Sequence, residues 1–296
     1  MEIPDNARIK LFRCGTVYEV VYLNRKNSRQ NIVQLKDKTY LNLKTGEIKV
    51  CKEAGGNRTE HVQSLRRTFQ NLRRIINTNT TGNMRNKCLF ITLTYKEPML
   101  NNERLRQDFE LFRKRMNYYL KKERGVSVPE YITVVEPQVV SRYAWHIHGI
   151  FIWKEERTAP FIENAIIAEL WGKGFVNVRS LSNIGALGNY LTAYLSDVPI
   201  PADDLKGEER QTDKKKKVAK GARLWLYPKG MRIYRVSRGI IRPKVEYLSY
   251  KQVKGDKNLK KTYHHERMIE REDEREPIEI IQESFIELDK SIKFKV

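Results

Sequence analysis

The chain has 296 residues, room for one large domain or two small ones, and 40% are hydrophobic, which excludes a disordered chain. Lys and Arg outnumber Asp and Glu by 57 to 36, a formal net charge of +21. A polyanion is therefore the expected partner, nucleic acid first and an anionic membrane surface second. No apolar run approaches the roughly 18 residues that span a bilayer, and the N-terminus lacks a signal-peptide core, so a cytoplasmic protein is expected. Cys14, Cys51 and Cys88 are too scattered for metal pairing and fit a reduced compartment, with Cys88 a core residue beside a strand.

Residues 16 to 52 alternate apolar and polar, with Lys44-Thr45-Gly46-Glu47 as a turn between two short strands, which predicts a small β-rich element. Glu53 to Asn57 reads as a linker. From Thr59 to Asn77, Val62, Leu65, Phe69, Leu72 and Ile76 recur at helical spacing. The opposite face carries Arg66, Arg67, Arg73 and Arg74, a weak candidate for phosphate contacts and otherwise a solvated face. Leu89 to Tyr95 is a strand. Pro98 and Asn101-Asn102 end it and open a helix to about Lys122, buried through Leu105, Phe109, Phe112, Met116 and Leu120.

Tyr131 to Glu136 is the next strand, and a short turn leads into Trp145 to Trp153, which predicts an antiparallel hairpin. Thr158 as N-cap and Pro160 at N1 open a helix that stops at Gly172. Phe175 to Leu181 is strand-like, and Asn183 to Asp197 reads as a helix broken by Val198-Pro199-Ile200-Pro201. A polar loop follows with the lysine run Lys214, Lys215, Lys216 and Lys217, a second weak candidate for nucleic-acid contact. Arg223 to Tyr227 and Met231 to Ser237 alternate around Pro228-Lys229-Gly230 as a hairpin would. From His264 onwards the tail is acidic and helix-prone.

Chemistry concentrates in two places. Side chains on a strand alternate faces, so His146 and His148 project together, about 7 Å apart, while Ile147 enters the core. In a hairpin, Glu136 on the preceding strand can lie beside them, and two imidazoles with one carboxylate can hold Mg²⁺ or Mn²⁺; zinc accepts the same ligands. Further on, Tyr190 and Tyr194 stand i and i+4 on one helix face, which Asp197 joins. Taken singly, these features also describe half-buried strand histidines and tyrosines bordering an apolar stripe.

The order of the three motifs, Phe90 to Tyr95, then His146-Ile147-His148, then Tyr190 to Asp197, resembles the HUH endonucleases. The likeness is to their two-tyrosine rolling-circle replication initiators of bacterial plasmids, integrative elements and small phages, and it extends over about residues 58 to 240. It implies an α/β fold of the α+β type, with a mainly antiparallel central sheet, packed helices and a ferredoxin-like core. It also implies Tyr190 and Tyr194 as nucleophiles, Glu136, His146 and His148 as ligands of a divalent metal (Mg or Mn), and Asp197 as a residue near that metal. Single-stranded or hairpin origin DNA is the implied substrate. Many relatives carry a lysine three residues after each tyrosine, where this chain has Ala193 and Asp197.

The expected organisation is a β-rich element over 1–57, a nicking domain over 58–200 with its core at 88–200, and a basic mobile loop over 201–222. A C-terminal hairpin and acidic helical tail complete it over 223–296. The sequence has no Gly-x-x-x-x-Gly-Lys-Ser/Thr loop, so unwinding would fall to a host helicase and replication machinery, with no membrane partner. A mobilisation relaxase or HUH transposase would use the same motifs, and a non-catalytic basic DNA- or RNA-binding protein would use none of their chemistry.

Overall fold

The computed structural model of the chain describes residues 1–24, 32–36, 39–43, 45–50, 62–137, 145–181, 198–199, 218–219, 227, 231–269 and 277–288. It divides into two compact units. Met1–Phe12, Tyr18–Gly56 and Val245–Val296 make one, and Arg13–Val17 with Asn57–Lys244 make the other. In chain order, the elements begin with strands β1 (Arg8–Cys14), β2 (Val17–Leu23), β3 (Ile32–Gln34), β4 (Thr39–Asn42) and β5 (Ile48–Val50). Then come α1 (Val62–Thr80), β6 (Cys88–Leu93), α2 (Asn102–Lys122), β7 (Glu130–Pro137), β8 (Trp145–Ile152), α3 (Asn164–Trp171) and β9 (Val176–Ser180). The last are the two-residue strands β10 (Val198–Pro199) and β11 (Val218–Ala219), β12 (Tyr234–Val236), β13 (Lys244–Ser249), α4 (Tyr250–Lys254), β14 (Leu259–Ile269) and β15 (Ile278–Glu287).

The fold is α+β, as the sequence predicts. The larger unit is built on a five-stranded sheet in the order β12-β7-β8-β6-β9, and each neighbouring pair is antiparallel. Helix α2 starts where the sequence places it because the Asn101 side chain accepts from the backbone N–H groups of Glu103 and Arg104, both at 3.0 Å. Glu103 in its first turn and Lys121 and Lys122 in its last complement the helix dipole. Phe112 meets Phe151 of β8 and Trp171 of α3 edge-on, at ring separations of 6.3 and 5.9 Å, which fastens both helices to one face of the sheet. Leu72, Ile75 and Ile76 of α1 join the same hydrophobic core.

The smaller unit has its own core of Ile3, Ile9, Leu11, Val20, Tyr250, Val253, Ile281 and Phe285. Its main sheet runs β13-β1-β2-β15-β14, with β3-β4-β5 as a separate three-stranded sheet. The turn predicted at 44–47 does join β4 to β5. Buried Glu283 of β15 accepts from Tyr250 Oη at 2.7 Å and from His264 Nδ1 at 2.9 Å, and pairs closely with Lys261 Nζ. Burial pushes that carboxyl's pKa up, but the three donors outweigh it and hold the group below its ordinary value.

Three expectations need correction. The acidic tail is not helical: β14 and β15 pair antiparallel over most of their length. Ile281, Glu283 and Phe285 alternate into the unit's interior, and this period-two pattern outweighs the helix-forming charged residues around it. The segment after Met231 does not stand apart either, since Tyr234, Arg235 and Val236 of β12 pair with Val134, Thr133 and Ile132 of the central sheet. Its supposed hairpin partner at 223–226 lies outside the described residues. Finally, α3 begins at Asn164, not near Thr158, because Ala159 N–H bonds Asn86 O and Ile162 is buried, committing this stretch to extended packing. Gly172 does cap α3, with φ +62 in the left-handed region. No helix among the described residues is long and apolar enough to cross a membrane.

Candidate metal centre

β8 is a strand with two faces of opposite chemistry. Phe151 points to α2, and its ring lies across Gly149, where a Cβ would stand 2.5 Å from Phe151 Cε2. His146 and His148 point the other way. In the β7–β8 register, Glu136 sits directly opposite His146, and Val134 opposite His148. On the far side, Thr92 of β6 is opposite His148 and Asn177 of β9 is opposite Thr92. Opposed residues of an antiparallel pair share a face. The hairpin expected from sequence therefore does bring Glu136, His146 and His148 together.

Their donor atoms all lie within 4.8 Å of one another. His148 Nε2 is 2.5 Å from Glu136 Oε2, and its Nδ1 is 3.1 Å from Thr92 Oγ1. The two imidazole centroids are 6.5 Å apart at 68°. Phe90, also on this face, stacks parallel to the His148 ring at 5.6 Å and 4°. Glu136 and His148 are only 2% and 5% exposed, and His146 is half-buried. Burial pushes the pKa of both histidines down to about 4, with the neighbouring His148 adding to the effect on His146. Both imidazoles are thus neutral at pH 7, the form that offers lone pairs to a cation.

Two neutral nitrogens and one carboxylate, fixed on adjacent strands, could hold a metal ion with coordination positions to spare. The nitrogen–oxygen set suits Mg²⁺, Mn²⁺ and Zn²⁺ alike. Among the described residues no thiol joins it: Cys14 and Cys88 are reduced and buried elsewhere, and burial raises the Cys88 thiol to about 12.

Tyr190, Tyr194, Asp197, Lys214 to Lys217 and the side chain of Arg66 lie outside the described residues. Of the other arginines on α1, Arg67 is exposed, Arg73 is half-buried and Arg74 is only 7% exposed, so Arg74 is not on the solvated face that its spacing suggested. The sequence reading missed Thr92 and Phe90 as neighbours of His148. Both fall in the Phe90–Tyr95 motif, and the signal was their alternation with Ile91 and Leu93, which turns them away from the helices.

The sheet and cluster define an α+β protein carrying a candidate divalent-cation centre on one sheet face. Residues 88–198 match the family model of the replication-associated protein ORF2, and through this segment the chain belongs to that replication-associated family. The matched span includes the whole Glu136–His146–His148 cluster and both candidate tyrosines. No curated protein and no solved structure matches the chain.

Proposed function

We propose that the protein is a site-specific DNA nicking and joining enzyme that initiates rolling-circle replication of a mobile element. The observation that carries this reading is the meeting of Glu136, His146 and His148 on one sheet face inside a replication-family segment. Mg²⁺ or Mn²⁺ held there would polarise the scissile phosphate and stabilise the charge that develops on it. Glu136 would bind through its carboxylate and the two histidines through neutral imidazole nitrogen.

Tyr190 or Tyr194 would supply the nucleophile. A phenol with an ordinary pKa of about 10 attacks poorly until its proton is taken up, so it depends on a site that favours the phenolate. Its oxygen bonds to phosphorus as the P–O3′ bond breaks, leaving a 5′-phosphotyrosyl linkage and a free 3′-hydroxyl. The reverse attack by a 3′-hydroxyl rejoins DNA without ATP, and the second tyrosine allows a further cut while the first end is held. The net charge of +21 favours single-stranded or hairpin origin DNA and makes binding salt-dependent. Host helicase and replication proteins in the cytoplasm would complete the process.

The test is incubation with Mn²⁺ and a single-stranded origin oligonucleotide, followed by mass spectrometry of the protein. A covalent adduct on Tyr190 or Tyr194 is expected, and His146→Ala should abolish it with DNA affinity retained. Nicking at wild-type rate by the double Tyr190→Phe, Tyr194→Phe protein refutes the mechanism. Tight DNA binding with no adduct under any divalent metal points to a non-catalytic binding protein instead.

A further inference from the structure

We infer that Thr92 is a positioning residue that lets His148 change its protonated nitrogen when a metal binds. The inference rests on the reading of Glu136, His146 and His148 as a metal centre. Without metal, His148 Nε2 is 2.5 Å from a Glu136 carboxylate oxygen, so the ring proton sits on Nε2 and is donated to the carboxylate. Nδ1 then carries a lone pair, and Thr92 Oγ1, 3.1 Å away, donates its hydroxyl hydrogen to it.

A cation at the cluster needs the Nε2 lone pair, because Nε2 is the nitrogen facing Glu136. The ring proton must then reside on Nδ1, with no net change in charge. The same Thr92 oxygen now accepts from Nδ1–H. A hydroxyl can serve as donor or acceptor by rotating its hydrogen, and Thr92 is half-buried, so that hydrogen can turn to water when the oxygen accepts. Valine, equally at home in a strand, could do neither and would leave Nδ1 of a 5%-exposed ring unpaired in both states. Phe90, stacked on the ring at 5.6 Å, and the Thr92–His148 register pairing keep the imidazole edge aimed along this line. An outer partner on the second nitrogen is how ligating histidines are commonly oriented, and its loss weakens metal affinity about 10–100-fold.

The experiment compares Mn²⁺ binding, by electron paramagnetic resonance and calorimetry, in wild type, His146→Ala, Thr92→Val and Thr92→Ser. Wild type should bind, His146→Ala should lose binding, Thr92→Val should bind about 10–100-fold more weakly, and Thr92→Ser should come within a few-fold of wild type. Wild-type affinity in Thr92→Val, with His146→Ala defective, overturns the role of Thr92 and leaves the metal centre standing. Absence of binding in wild type, or wild-type binding in His146→Ala, overturns the metal centre and this inference with it. A measurement on the unaltered protein guards against a misfolded variant. Long-range ¹H–¹⁵N spectra of His148 should show the proton on Nε2 in the metal-free protein and on Nδ1 with Zn²⁺ bound. A His148 that keeps Nε2–H at saturating Zn²⁺ overturns the inference.

Discussion

Acidification tests whether burial governs the two histidines. Both imidazoles are held near 4, against an ordinary value of about 6.5. Between those values the unfolded chain takes up protons that the folded protein refuses, so stability falls as the pH drops from about 6.5 towards 4 and is level above that window. Across that window a fully refused proton costs about 1.36 kcal/mol for each pH step, and linkage between pH 7 and pH 5 costs about 2 kcal/mol for His148, whose ring is 5% exposed. Half-buried His146 contributes less. The assay is urea unfolding of metal-free protein at pH 7 and pH 5, with a His146→Gln, His148→Gln double variant as reference. Wild type should lose about 2–3 kcal/mol more than the variant over that interval. Equal losses would refute the argument and mean that Glu136 pairs with a charged His148, offsetting the cost of burial.

Two further substitutions probe the scaffold. Gly174→Ala would place a Cβ 2.6 Å from Lys96 N and 2.7 Å from Thr94 O, where the chain runs against the end of the site-bearing sheet. Because the obstruction is backbone, a loss of about 1–3 kcal/mol in chemical denaturation is expected, and an unchanged midpoint would contradict the close approach. In the smaller unit, Glu283→Ala leaves the buried Tyr250 hydroxyl without its acceptor. It should cost about 1–3 kcal/mol, while Tyr250→Phe, which removes the hydroxyl itself, should cost less in the same urea assay.

The candidate centre was legible in the sequence because it rests on local rules. Period-two alternation put His146 and His148 on one face, and a short connection forced the hairpin that set Glu136 opposite His146. Helix α2 was equally legible, from Asn101 as cap to Lys122, since capping and amphipathic spacing are properties of neighbours in the chain. What escaped depends on distant partners. Thr92 meets His148 only through the β6–β8 pairing, 56 residues apart. Nothing local in the acidic tail announced that β15 would insert between β2 and β14. The late start of α3 likewise follows from the bond between Ala159 and Asn86, which no capping rule foresees.

The strand order β13-β1-β2-β15-β14 has a consequence for how the chain acquires its shape during synthesis. Strands β1 and β2 emerge first, yet their sheet neighbours β13 and β15 follow only after the whole Asn57–Lys244 segment has been made. Roughly 220 residues separate the end of β2 from the start of β13, a wait of roughly 10 to 40 s at ribosomal speed. Throughout that interval β1 and β2 form an open two-stranded ribbon, which has marginal stability in water. Its edges are exposed to any other nascent strand. The larger unit can meanwhile collect its strands in sequence and fold on the ribosome. Ribosome-bound chains stalled just past Lys244 should therefore show the central sheet protected from proteolysis and the first twenty-odd residues still open to it.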